Sequence, residues 1–422
     1  MSPMTNKNYC FVVPRFFEGL AGGAETLLGS LAKQLAARGA QVELLATCAR
    51  DNRTWENEFP PGESSLDGVR LIRFPVDARD LSRWVPIQCA IHDGKRVSFE
   101  EQLTWMQESV NSSEMYRYIA RYGCAFDAIF FGPYLFGTTF WGSQIHPQRS
   151  VLVPCLHDES YAYLDLIAAM FRGVRGCLFN SVPEMELARS IYGDIKGGVV
   201  GMSFDSISTT EVESLNSYLD DSAPYILYLG RKEMGKNAHL LIDFFSEIKD
   251  LGLVDPKLKL VILGGGSFSD LHRDCALSRG DIVDLPHLSE IDKRRLLKNA
   301  LMLCQPSVNE SFSIVLMEAW IMGAPVAVHG DCAVTKHHVD ESRGGLYIST
   351  PGDLAGVVKF FMEDATRRAE WAERGRAYVE REFSEEAVIG RFNCVVEELF
   401  RGNELFQGEG ECVSYPERQV RG

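Results

Sequence analysis

The chain has 422 residues and a formal net charge of -15, from 43 basic and 58 acidic side chains. That balance argues against nonspecific nucleic-acid binding, which needs a basic surface, but it leaves room for a local basic pocket that holds phosphates. A composition of 45% hydrophobic and 24% charged residues is that of a folded protein, and the length leads to an expectation of two domains, each with its own core. Eleven cysteines, with no C-x-x-C pair, point to neither a zinc set nor a disulfide framework. Reduced thiols buried as small hydrophobes, and a cytoplasmic location, are expected. The polar start MSPMTNKNY does not read as a signal peptide. No stretch reaches the roughly 18 apolar residues of a membrane span, so any membrane contact is expected to be peripheral.

In chain order, residues 8–14 read as a strand and 24–37 as a helix closed by Gly39. Residues 41–46 and 69–74 are strand-like, and 99–121 reads as one long amphipathic helix ending near Gly123. Strands follow near 128–131, 151–156 and 177–179. The pattern blurs between Met202 and Ala223, and a fresh series opens with YILYLG at 225–230. Its strands continue near 258–263, 282–285, 301–305 and 326–329, and 354–399 is largely helical. Apolar strands without polar alternation, separated by helices, indicate parallel sheets covered on both faces. The expected architecture is α/β, two doubly wound Rossmann-like domains across a cleft, with ligands beyond the carboxyl ends of the strands.

The strongest motif is N309-E-S-F-S-I-V-L-M-E318, which follows the strand LMLCQ and opens the apolar helix FSIVLMEAWIMG. Glu310 lies just before that helix and Glu318 about two turns later, near the side of the first turn. The amides of Phe312, Ser313, Ile314 and Val315 are then free donors, and with the helix dipole they seat a pyrophosphate. One carboxylate reaches the sugar end of such a ligand and the other the ribose end. As a purely structural feature Glu310 would be a charge favoured near a helix start. Glu318 would be an exposed helix residue, although it interrupts an otherwise apolar helix. In LGRKEMGKNAHLL, Arg231 ends a strand and Lys236 stands near a helix start, where a cation opposes the dipole unless a bound phosphate favours it. The alternative is two solvated loop charges, with Lys232 as the ready example of one.

The Glu-x7-Glu spacing in this order of strand, loop and helix resembles family 4 retaining glycosyltransferases of the GT-B fold. GAPVAVHG, GRKEMGK and GGAE resemble that family too, in the right order over nearly the whole chain. The resemblance implies that Arg231 and Lys236 neutralise the donor diphosphate. It implies that the loop at Gly22 and Gly23 faces the donor phosphates and acceptor, and that His157, in V153-P-C-L-H-D-E-S160, lies near the donor sugar. Asp158 and Glu159 either orient that ring or cap the next helix. Ser313 is a departure, because the family commonly has glycine there, and it leaves the sugar open. Gly264, in the G-G-G run after a strand, reads as a turn near the nucleotide. Ser181 and Glu184 read as a structural capping box. His329, Lys336, His337 and His338 lack the accompanying ligand set of a metal site. No D-x-D occurs, so no metal and no other cofactor are expected.

These readings assign residues 1–202 to an acceptor-side domain, 203–222 to a linker and 223–383 to a nucleotide-sugar donor domain. They assign 384–401 to a helix that, as the resemblance implies, crosses back to the first domain, and 402–422 to a flexible tail. The function expected is metal-independent transfer of a sugar, with retention, from a nucleoside-diphosphate sugar to a glycan or lipid-linked acceptor. The alternatives are a GT-B nucleotide-sugar 2-epimerase, a transferase-like binding protein without turnover and, much less economically, a pyridoxal-dependent phosphorylase.

Overall fold

The computed structural model describes residues 7–401 except 18, 20–21, 205–222 and 286–287. Its contacts divide the chain into two units. The first comprises Met1–Phe179, Ala188–Val200 and Ile389–Gly422, and the second Asn180–Leu187 and Gly201–Val388. Of the predicted linker only Ser203 and Phe204 are described, and the predicted tail lies outside the described residues.

In the first unit eight strands form one sheet: β1 Asn8–Arg15, β2 Gln41–Thr47, β3 Gly62–Leu66, β4 Val69–Phe74, β5 Ala128–Phe131, β6 Ser150–Leu152, β7 Gly176–Phe179 and β8 Gly197–Val199. Their order is β3-β4-β2-β1-β5-β6-β7-β8. All pairs are parallel except β3 with β4, and Phe11 registers with both Leu44 and Phe130. The run Tyr9–Val13 is buried throughout, as a strand covered on both faces requires. The helices are α1 Gly23–Ala37, α2 Leu81–His92, α3 Phe99–Gln107, α4 Ser113–Tyr122, α5 Gly137–Ser143 and α6 Asp165–Gly173, and α7 Val182–Tyr192 is divided, its residues from Ala188 on belonging to this unit.

The single helix predicted over 99–121 is instead the pair α3 and α4. Asn111 breaks it: its amide nitrogen donates to the carbonyls of Met106, Gln107 and Ser109, satisfying the end of α3. Ser112 then accepts from the amide of Met115 and starts α4. Asn and Ser favour such local bonds over helix interiors.

In the second unit β9 Tyr225–Leu229, β10 Lys259–Leu263, β11 Ile282–Leu285, β12 Met302–Gln305, β13 Val326–His329 and β14 Gly345–Ile348 form a parallel sheet of order β11-β10-β9-β12-β13-β14. The helices are α8 Ala238–Asp250, α9 Glu290–Asn299, α10 Ile314–Met322, α11 Ala333–Ser342, α12 Pro351–Glu363 and α13 Ala365–Glu382. Leu241, Ile242, Phe245 and Ile248 of α8 share one apolar face and pack with Ile226, Leu260 and Phe361. Trp320 of α10 is fully buried, donates to Gly344 O at 3.0 Å and lies where a side chain on Gly375 would be. Its truncation to alanine would cost about 3–5 kcal/mol. The chain lays β10 and β11 to one side of β9 and then β12 to the other. The loops after β9 and β12 therefore diverge, and that is where open α/β sheets bind ligands.

The last helix, α14 Glu385–Phe400, passes into the first unit at Ile389. There Phe392 meets Tyr9 and Phe130 with ring centroids 5.7 and 5.4 Å away, and Arg391 donates to Val200 O. Cys10, Cys48, Cys177, Cys304 and Cys332 are buried as expected, whereas Cys89, Cys124, Cys275 and Cys394 are exposed. Among the described residues no helix is long and apolar enough to cross a membrane.

Candidate functional site

The loops that diverge at the sheet of the second unit carry most of the predicted residues. After β12, residues 306–313 lead to α10, whose N-cap is Ser313. Ser313 has φ 71° and ψ 75°, in the left-handed region that favours glycine. It is 6% exposed, and its hydroxyl is buried with no hydrogen-bond partner. No side chain caps the amide end of α10, so the amides of Ser313, Ile314 and Val315 remain a seat for an anion. The ring of Phe312 turns away into an aromatic cluster, 5.0 Å from Phe383, 5.3 Å from His338 and 6.1 Å from Phe204.

Glu310 has a side chain 10% exposed, and its Oε1 accepts from Lys236 Nζ at 2.8 Å. Lys236 ends a short turn, Met234–Lys236, just before α8. Next to it Asn237 donates to Pro306 O at 3.1 Å. These two bonds tie the loop after β9 to the loop after β12. Lys236 thus finds its anion in Glu310, which answers the unfavourable helix dipole without a ligand. Arg231 is 62% exposed and reaches Glu233 at 2.8 Å.

Lys232 corrects the sequence reading, because it is no solvated charge. Its side chain is 3% exposed, and Nζ donates to Gly264 O at 2.5 Å and to Asp284 Oδ1 at 2.9 Å. Its amide donates to Gly265 O at 2.6 Å. One lysine thus crosses the ends of β9, β10 and β11 and staples the loop that carries Arg231. Gly264 has φ 150°, and a Cβ there would stand 2.0 Å from Gly230 O, so only glycine allows the two loops this approach. The signal for Lys232 was present: Asp284 interrupts the apolar run IVDL. Glu318 is also no bare helix residue. It is 25% exposed and accepts from Lys293 Nζ of α9 at 2.8 Å.

Burial, with His337 close by, pushes the His338 imidazole down to about 3, so the ring is neutral, and its Nδ1 lies 2.9 Å from the Tyr378 hydroxyl. Nδ1 of His329 accepts from the amide of Asp331. Among the described residues no group of His, Cys, Asp and Glu has the arrangement of metal ligands.

In the first unit Gly22 is the N-cap of α1 and Gly23 its first residue. The Glu25 carboxylate folds back to where a side chain on Gly22 would be, and Arg15 Nε holds it at 3.0 Å. His157 lies in the loop after β6, its Nδ1 3.8 Å from Glu159 Oε1. Tyr134 donates to Glu159 and Tyr163 to Asp158, each at 2.7 Å. Burial first, and Glu159 next, push the Tyr134 phenol well up, so it remains a donor. The next helix is the short 3-10 turn Ser160–Tyr163, and Glu159 stands at its N-cap without a side-chain bond to it; α6 has Leu164 as N-cap, so neither carboxylate side chain caps a helix. Ser181 Oγ accepts from the Glu184 amide, as a capping box requires, and Glu184 accepts from the Asn180 amide, one residue before the expected Ser181.

Two doubly wound α/β units, joined as here, make the GT-B class of fold. Sucrose-phosphate synthase from Thermosynechococcus elongatus shares it, with TM-score 0.69 at 16% identity over 94% of this chain and 99% of its own. So does the HepE protein of Anabaena solved with UDP and glucose, with TM-score 0.66 at 15% identity over 93% of this chain and 100% of its own. A family model described as glycosyl transferases group 1 matches residues 212–378. An uncharacterized glycosyltransferase of Methanocaldococcus jannaschii is 32% identical over 152 residues, 35% of this chain and 37% of that protein. The D-inositol 3-phosphate glycosyltransferase of Xylanimonas cellulosilytica is 28% identical over 167 residues, 37% of this chain and 38% of that protein. The match thus spans less than two-fifths of either relative.

Proposed function

We propose that the protein is a glycosyltransferase that takes a sugar from a nucleoside-diphosphate sugar and passes it to a glycan or lipid-linked acceptor in the cytoplasm, with retention and without a metal. The observation that carries this reading is the Lys236–Glu310 pair at 2.8 Å, beside the uncapped amide end of α10 and at the point where the strand order reverses. Breaking a glycosidic bond develops positive charge on the sugar and negative charge on the diphosphate. The diphosphate competes with Glu310 for Lys236, and Arg231, Lys236 and the amides of Ser313 to Val315 stabilise it. Glu310, released, orients sugar hydroxyls and offsets the charge on the ring. The family resemblance assigns His157 to the donor sugar, and the place of Glu318 about two turns after Glu310 assigns it to the ribose.

An inverting reaction needs a base that deprotonates the acceptor as it attacks from the far face. Asp158 and Glu159 each accept a tyrosine hydroxyl on one oxygen, and either would be the base in an inverting reaction. The resemblance to retaining transferases supports front-face substitution instead, with the leaving phosphate as base. Metal independence rests on the absence of D-x-D from the sequence. Because HepE was solved with UDP and glucose, a UDP-sugar is the first donor to test.

The test is calorimetry with UDP, GDP and ADP, then transfer from the matching α-linked sugar with excess EDTA, read by proton NMR of the first product. An α-anomeric coupling at an undiminished rate is expected. A β-linked product would overturn retention and return Asp158 or Glu159 as base. Loss of activity restored by manganese or magnesium would overturn metal independence, and no binding of any nucleotide would overturn the reading itself.

A further inference from the structure

Glu318 stands in the second turn of α10 with Leu316, Met317, Ala319 and Trp320 around it in sequence, all buried. Four residues separate it from Ile314, so it lies on the same face as the start of the helix and about 6 Å along the axis. A carboxylate in such a helix needs a partner, and it has one in Lys293 Nζ at 2.8 Å. Lys293 is itself held between two carboxylates, since Nζ also meets Glu290 Oε2 at 2.9 Å. Burial lowers the lysine's pKa, but Glu318 and Glu290 more than offset that and raise it, so the ammonium stays charged. The contact fixes Oε1 of Glu318. Among the described residues Glu318 has no other hydrogen-bond partner, so its second oxygen keeps its acceptor capacity.

We infer that Lys293 is a positioning residue for nucleotide recognition: it pins one oxygen of Glu318 and aims the other at a ribose hydroxyl. The inference rests on the donor reading above and names a residue that reading does not contain. Without Lys293 the Glu318 side chain is free to rotate, and part of the bond to the ribose is lost to ordering it. A lysine that only ties α9 to α10 would support the fold without affecting which sugar the nucleotide carries.

The experiment uses the full chain and whichever of UDP, GDP and ADP binds tightest, with its 2′-deoxy and 3′-deoxy counterparts, by calorimetry. Wild type is expected to prefer the ribonucleotide over one deoxy counterpart by about tenfold or more, the weight of a hydrogen bond to a charged group. Glu318→Ala should abolish that preference. Lys293→Met should cut it to about threefold or less, by weakening the ribonucleotide and leaving the deoxy counterpart unchanged, and Lys293→Arg should restore it. If wild type shows no preference, or Glu318→Ala keeps it, the ribose role of Glu318 fails and the inference fails with it. If Glu318→Ala abolishes the preference but Lys293→Met keeps it, or weakens both nucleotides alike, the donor reading stands and the role given to Lys293 is overturned.

Discussion

Ser313→Gly is expected to make the protein more stable, and the amount follows from the structure. Serine at φ 71° holds a left-handed backbone that costs an L-residue about 1–2 kcal/mol and glycine almost nothing. Its hydroxyl is buried without a partner, which costs about 1–3 kcal/mol more. Against this stand the extra chain entropy of glycine, about 0.5–1 kcal/mol, and the loss of one buried carbon, about 0.8 kcal/mol. The terms balance to a gain of about 0–4 kcal/mol, about 2 kcal/mol at their midpoints, or several degrees in Tm for a unit of this size. Ser313→Ala separates the terms, because it removes the hydroxyl and keeps both the backbone strain and the buried carbon, and by these terms it should gain about as much as glycine, about 1–3 kcal/mol. Calorimetric melting of the three proteins side by side is the assay. A glycine variant no more stable than wild type would refute the reasoning. A serine kept at such a cost at the N-cap of α10 is what a functional position looks like, where activity is retained at the expense of stability.

Glu310→Gln should lower turnover about 100-fold or more, because the carboxylate acts on the sugar, while nucleoside-diphosphate affinity does not fall and rises as Lys236 loses its competing carboxylate; steady-state kinetics with wild-type turnover would contradict this. Lys236→Ala and Arg231→Ala should each weaken diphosphate binding by about 1–3 kcal/mol in calorimetry. The lysine variant should lose more, since it also leaves Glu310 unpaired and facing the anion, and unchanged affinity in both would remove them from the site. Lys232→Ala should destabilise the second unit by about 3 kcal/mol, by leaving Asp284 and Gly264 O without their donor, whereas Lys232→Met with Asp284→Leu should recover most of it. Urea unfolding measures both, and a single variant as stable as the double one would show that the pair does no holding.

Much of the fold was legible in the chain. Runs such as YCFVV and YILYL have no polar alternation because their strands are covered on both faces, so a parallel α/β protein could be read before any partner was known. The loop-to-helix passage with Glu310 and Glu318 was legible for a related reason: a carboxylate in an apolar helix is costly, and its presence marks the position. The join between α3 and α4 was missed because it depends on which carbonyls the Asn111 amide reaches, and an amphipathic period does not record that.

What only the tertiary structure decided is which charges meet. Lys236 and Glu310 are 74 residues apart, and they pair because β9 and β12 are neighbours in a sheet whose order no local pattern states. Lys232, read from its loop as solvated, is the most deeply buried cation of the site because Asp284 arrives from β11, 52 residues on. Lys293 acquires its place only because α9 packs beside α10, which brings its ammonium 2.8 Å from Glu318. A sequence names the charged groups. The energy of a charge depends on distance and on the surrounding dielectric, and both are properties of the packed chain.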